Sequence, residues 1–179
     1  MRNRSGCAVA LAVLLLSSGA CRGKHHRTTV QNDESEGGPQ IAAVVRTNDP
    51  ATSAQLLSGF YGVEGGAWRW TAGKFSVLLR SPLGGAQRGA TLHFAFTIPD
   101  VAIEKLKTIT LTASAGGTKL KSESYSKPGP YTFTADVPAR MLAADSIRVD
   151  FELDKSIPAG AVDQRELGVI AAAISIEAQ

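Results

Sequence analysis

The chain has 179 residues, with 19 lysines and arginines against 16 aspartates and glutamates, a formal net charge of +3 and two cysteines. So small a positive excess gives no electrostatic reason to expect nucleic acid as a partner. Two cysteines exclude a disulfide-stapled scaffold, while 44% hydrophobic residues are enough for one domain with an apolar core.

The amino-terminal segment reads as an export signal. Met1-Arg2-Asn3-Arg4 is positive, Cys7 to Leu16 is an apolar run of ten residues, and Ser17-Ser18-Gly19-Ala20 are small. This is the layout of a secretory signal peptide over residues 1–20. Ten apolar residues fall short of the roughly 20 that a helix needs to span a bilayer. Cys21 follows directly. The segment Ser18-Gly19-Ala20-Cys21 resembles the lipobox of bacterial lipoproteins. That resemblance implies a diacylglycerol-modified Cys21, and localisation as an exported, membrane-anchored lipoprotein in the periplasm or at the cell surface. Plain secretion, with Cys21 incidental to a nearby cleavage, is the alternative. Cys7 leaves with the signal in either case, so the domain is expected to rely on its apolar core rather than on disulfides. Loss of Arg2 and Arg4 leaves 17 basic against 16 acidic side chains.

Residues 21–55 are predicted to be a flexible tether behind the lipid. The stretch from Arg22 to about Ser53 is polar and unpatterned and includes Asn32-Asp33-Glu34-Ser35-Glu36-Gly37-Gly38-Pro39. Such composition buries too little apolar surface to offset its ordering entropy. Ile41 to Val45 stands apart as an isolated strand candidate. His25 and His26 read as solvated tether residues, and no metal or cofactor is expected.

Residues 56–179 are predicted to form the folded domain, because from Leu56 the pattern changes to period two. Phe75, Val77 and Leu79 alternate with Ser76, Leu78 and Arg80. Leu92, Phe94, Phe96 and Ile98 do the same against His93, Ala95 and Thr97, and Ile109, Leu111 and Ala113 against threonines. Tyr131, Phe133, Ala135 and Val137, then Ile147, Val149, Phe151 and Leu153, complete the set. These are strands with one wet face. The run Leu167 to Ile176 alternates less clearly and suits a central strand. Gly116-Gly117 predicts a hairpin turn, and Pro82-Leu83-Gly84-Gly85, Lys127-Pro128-Gly129-Pro130 and Pro158-Ala159-Gly160 separate the other runs. Segments 100–107 and 138–144 each hold a candidate helical turn. The expected fold is all-β: an antiparallel β-sandwich, jelly-roll-like, in a single domain.

Two segments carry the candidate site. Gly59 to Gly73 (GFYGVEGGAWRWTAG) holds both tryptophans, and Asp163 to Val169 (DQRELGV) opens the last strand. Together they resemble a β-sandwich module of bacterial cell-surface polysaccharide and glycosyltransferase proteins. The shared features are G-[FWY]-[YH]-x-x-E at Gly59–Glu64, R-W-[TS]-x-G at Arg69–Gly73, and D-x-R-x-L-G-[VI] at Asp163–Val169. In such proteins the module usually accompanies an enzyme, whereas here it follows a lipoprotein-like signal.

Trp68 and Trp70 share one side of a strand and Arg69 faces the other. Two readings stay open. In the first, Trp68, Trp70 and Tyr61 stack on sugar rings while Arg69, Glu64, Asp163 and Arg165 hydrogen-bond hydroxyl groups. In the second, the tryptophans belong to the core and the charged residues tie a loop to the last strand. Enzyme signals are poorer. His93 is alone on a wet face, no G-x-S-x-G elbow, H-E-x-x-H motif or P-loop is present, and Glu64 with Asp163 is the one carboxylate pair worth naming for glycoside hydrolysis. The expected function is a non-enzymatic envelope lipoprotein that binds glycan or another envelope component. The alternative is a structural or assembly protein that engages a protein partner through a sheet face or edge, and a glycoside hydrolase ranks last.

Overall fold

Alternating residues become strands whose apolar set is buried. The computed structural model describes residues 40–160 and 163–179, so the signal segment, Cys21 and His25–His26 lie outside the described residues. Nine strands follow in order: β1 (Val44–Arg46), β2 (Leu56–Glu64), β3 (Trp68–Arg80), β4 (Ala90–Ile98), β5 (Ile109–Ala115), β6 (Thr118–Tyr125), β7 (Gly129–Val137), β8 (Ser146–Leu153) and β9 (Ile170–Ala178). Two short helices, α1 (Gly85–Arg88) and α2 (Asp100–Leu106), and two 3-10 turns, at Pro50–Gln55 and Ala139–Met141, connect them. The predicted helical turns near 100 and 140 are therefore present, and the β5–β6 hairpin turns at Gly116-Gly117.

All pairings are antiparallel. One layer runs β2-β3-β8-β5-β6 and the other β1-β9-β4-β7. With β2 set aside as an added edge strand, this is the strand order of a jelly roll. The layers meet through rings. Phe75 of β3 and Phe151 of β8 stack at 5.0 Å, and both pack on Phe94 of β4, at 5.5 and 5.0 Å. Ala90, Leu92, Phe94, Phe96 and Ile98 are all fully or almost fully buried, as period two along β4 requires.

The folded unit begins earlier than the boundary expected at residue 56. Val44–Arg46 pairs with Ala173–Ser175 of β9, and the Gln55 side chain holds the backbone of Ala42 in both directions. A three-residue strand is too short to announce itself by alternation. β9 lies centrally, with β4 on one side and β1 and β3 on the other, which accounts for its less regular pattern.

One joint positions the site. The start of β3 crosses to the second layer by pairing Arg69 with Ala171 and Trp70 with Ile170. Thr71 extends the contact: its N–H donates to Val169 O (2.9 Å), its carbonyl accepts from Gly168 N (2.7 Å), and its buried hydroxyl accepts from Val169 N (3.1 Å). A Cβ on Gly168 would lie 2.6 Å from Ala72 O and 2.7 Å from Leu153 Cδ1. Thr71 and Gly168 of the two sequence motifs are thus explained by the close approach of β3 to β9.

Candidate functional site

The Pro158–Leu167 loop leaves β8 and folds back on itself. Ile157 and Leu167 exchange both backbone hydrogen bonds at its base (2.8 and 2.9 Å), and Gly160 N donates to Asp163 O (2.7 Å). Asp163 makes an Asx turn, accepting from Arg165 N at 2.9 Å. Asp163 and Leu167 thereby fix Arg165 from both sides.

Arg165 is the hub. Its Nε and Nη2 donate to the two oxygens of Asp163 at 3.0 and 2.8 Å, a bidentate fork. Its Nη1 donates to Glu64 Oε1 at 2.7 Å, at the far end of β2. The guanidinium carbon lies 5.1 Å from the centre of the Tyr61 ring, a cation–π contact. Hydrogen bonds from Arg165 hold the Asp163 carboxyl down to about 2, and the two carboxylates raise the arginine in turn. All three charged side chains remain about one-third exposed, so the array is accessible from solvent.

The aromatic residues divide. Trp68 and Trp70 do share a side of β3, with ring centres 6.3 Å apart and planes at 80°. Trp70 is 9% exposed and Trp68 is half-buried. Trp70 thus forms part of the wall of a cleft, and Trp68 lies behind it toward the β2–β3 turn, outside the cleft lining. Arg69 faces away: Nε donates to Thr47 O (2.6 Å) and Nη1 to Tyr61 O (2.8 Å). It straps β2 to the segment after β1.

Glu64, Trp70, Asp163 and Arg165 line one cleft of about 410 Å³. Its remaining wall was not read from the sequence. Val101 and Lys105 of α2 face Ile157, Pro158, Gly160 and Leu167 across it. A signal existed: Val101-Ala102-Ile103 is an apolar triplet on one helical turn, and only Ala102 is fully buried while Val101 is 39% exposed. Three consecutive helical residues cannot all face one core. Among the described residues no group of three or more histidine, cysteine, aspartate or glutamate side chains could hold a metal ion, and no helix is long and apolar enough to cross a membrane.

No protein-family model and no curated protein matches the chain. Solved structures similar to it include a family GH115 4-O-methyl-alpha-glucuronidase with specificity for decorated arabinogalactans, at 10% identity and a TM-score of 0.49. That match covers 80% of this chain and 18% of the glucuronidase, so this chain spans under a fifth of that protein. The CBM36-1 domain of a multidomain xylanase from the hindgut metagenome of Trinervitermes trinervoides is similar at 11% identity and a TM-score of 0.43, over 76% of this chain and 96% of that one. A CBM4 structure is similar at 15% identity and a TM-score of 0.36, over 84% and 94%. The architecture described above, an antiparallel β-sandwich, stands on the strand pairing of this chain itself.

Proposed function

We propose that this chain is a non-enzymatic envelope lipoprotein whose β-sandwich binds glycan in the cleft between β2, β3, α2 and the Pro158–Leu167 loop. The observation that carries the reading is the convergence, at one half-open cleft, of aromatic surface and planar charged groups from both sequence motifs. Three of the five N–H donors of Arg165 are held by Glu64 and Asp163. Two remain for hydroxyl oxygens. Lys105 adds a cation on the opposite wall, and Trp68 offers apolar ring surface against which the C–H face of a sugar packs.

The same geometry disfavours Asp163 as the general acid of a glycoside hydrolase. A general acid must hold its proton near neutral pH, whereas the fork keeps Asp163 ionised down to about 2. The sheet-edge reading is also less well supported. β2 is broken by three register irregularities along its pairing with β3, and β6 carries Lys119, Lys121 and Glu123. Bulges and charges of this kind protect an edge from pairing with another chain.

Affinity electrophoresis in gels containing envelope polysaccharides tests the proposal. Retardation is expected for the wild type and should be lost in Trp68→Ala and Tyr61→Ala, each with an unchanged far-UV spectrum. Equal retardation of wild type and both variants, or none by any envelope glycan, would overturn it.

A further inference from the structure

The end of the sandwich opposite the cleft has its own character. β3 runs from Trp70 at the cleft to Arg80, which at about 3.3 Å per residue places these ends roughly 30 Å apart. Beyond Arg80 the chain turns through Pro82-Leu83-Gly84 into α1. Leu83 is 96% exposed, far more than any other large apolar residue described. Ala86, Ala143 and Ala144 are exposed around the same shallow depression. Arg80 and Arg140 are exposed on the flanking segments, with Asp145 as the acidic neighbour. Arg88 lies beside them, its Nε donating to the carbonyl of Gln179. The loop is not loose: Gly85 N donates to Pro82 O at 2.9 Å and Ser81 N to Asp145 O at 2.9 Å. An apolar side chain is therefore held out in water by a fixed turn.

The segment that leads from Cys21 joins the fold at this same end. Arg80 N donates to Ala42 O (3.0 Å) and Ile176 N to Ala43 O (3.0 Å). With Val44 opposite Ser175 in antiparallel register, residues 40–42 run back toward the carboxyl end of β9, beside α1. Residues 40–42 thus leave the fold at the Leu83 end and not at the cleft.

We propose that the Ser81–Arg88 loop, with Ala143 and Ala144, is a membrane-contacting tip. Leu83 inserts into the interface, Arg80 and Arg140 lie among anionic headgroups, and the cleft points away from the bilayer. The occupant is a lipid surface because the apolar tip is small, is flanked by the exposed cations Arg80 and Arg140, and lies at the end where residue 40 leaves the fold. One leucine buries too little apolar area to bind a membrane unaided. Held at the surface by acyl chains, it contacts lipid at high effective concentration. This inference rests on the lipid at Cys21 and is independent of what the cleft binds.

The test uses the mature lipidated chain in vesicles of phosphatidylethanolamine and phosphatidylglycerol. A cysteine introduced at Ala86 carries an environment-sensitive fluorophore, and Ala67→Cys at the β2–β3 turn carries it as the distal control. Ala86→Cys should shift to the blue and be quenched by lipid-borne quenchers, and Ala67→Cys should do neither. Adding Leu83→Asp should abolish the shift at position 86 without altering the thermal midpoint, since Leu83 packs on nothing. An aqueous reporter at 86, quenching at 67 instead, an unchanged shift in Leu83→Asp, or a mature chain without lipid each overturns the proposal.

Discussion

Arg165 and Glu64 stand 101 positions apart in the chain, and their side chains meet at 2.7 Å. The contact closes the cleft by joining the end of the β2–β3 hairpin to the loop before β9. Because Asp163 takes the other side of the same guanidinium, removing Arg165 leaves two carboxylates near each other at the rim.

Arg165→Ala is therefore expected to weaken glycan retention more than it lowers stability. Arg165→Lys should not restore retention, since an ammonium cannot make the fork and reach Glu64 together. Affinity electrophoresis beside urea denaturation checks this, and a lysine variant that behaves as wild type would contradict it.

The two tryptophans should separate in their effects. Trp70→Ala removes a cleft wall that is also buried, and is expected to cost about 3 kcal/mol in urea unfolding. Trp68→Ala should leave the unfolding midpoint nearly unchanged while abolishing retention. Similar destabilisation by both variants would place both rings in the core.

Acid should act on the fork late. Asp163 is depressed in the folded protein from 3.8 to about 2. Its contribution to stability is thus full above about pH 4 and is lost as the pH falls through about 2. Carboxyl carbon chemical shifts followed by NMR should show Asp163 titrating last among the aspartates, and Arg165→Ala should return it to the ordinary range.

Gly168→Ala should destabilise by about 1–3 kcal/mol, because the added carbon meets backbone and Leu153 at less than contact distance. Gly62→Ala, which meets nothing within 4 Å, is the neutral comparison. Thermal denaturation of the pair distinguishes steric need from motif coincidence.

The sandwich was legible because period two persists over five long strands whose inner residues, such as Phe94, Phe133 and Phe151, are almost wholly buried. The first strand of the jelly roll showed only as the isolated apolar stretch Ile41 to Val45, since Val44–Arg46 is held by pairing with β9 and by Gln55 rather than by alternation of its own. The two sequence motifs meet in space, where Glu64, Trp70, Asp163 and Arg165 line one cleft. What they could not separate was role. Trp68 and Trp70 look equivalent on a strand, yet only Trp70 is buried and lines the cleft. Arg69, alike in type to Arg165, spends its donors on backbone carbonyls of Thr47 and Tyr61. α2 contributes Val101 and Lys105 from far along the chain: the triplet Val101-Ala102-Ile103 marks an apolar residue left outside the core, but not the cleft that it lines.

The start of β3, which joins the two layers, has a mechanical meaning. The cleft lies at one end of the strands and residues 40–42 at the other, so tension between a captured ligand and the segment leading from Cys21 would run parallel to β1, β3 and β9. Antiparallel ladder bonds stand perpendicular to the strands, so such tension shears many of them at once instead of peeling them singly. The 3-10 turn and the Thr47 hydroxyl, which donates to Ala171 O at 2.8 Å, clamp the short β1 against slipping. Pulled in a force spectrometer between residue 40 and the Pro158–Leu167 loop, the domain should resist more strongly than when pulled across the sheet.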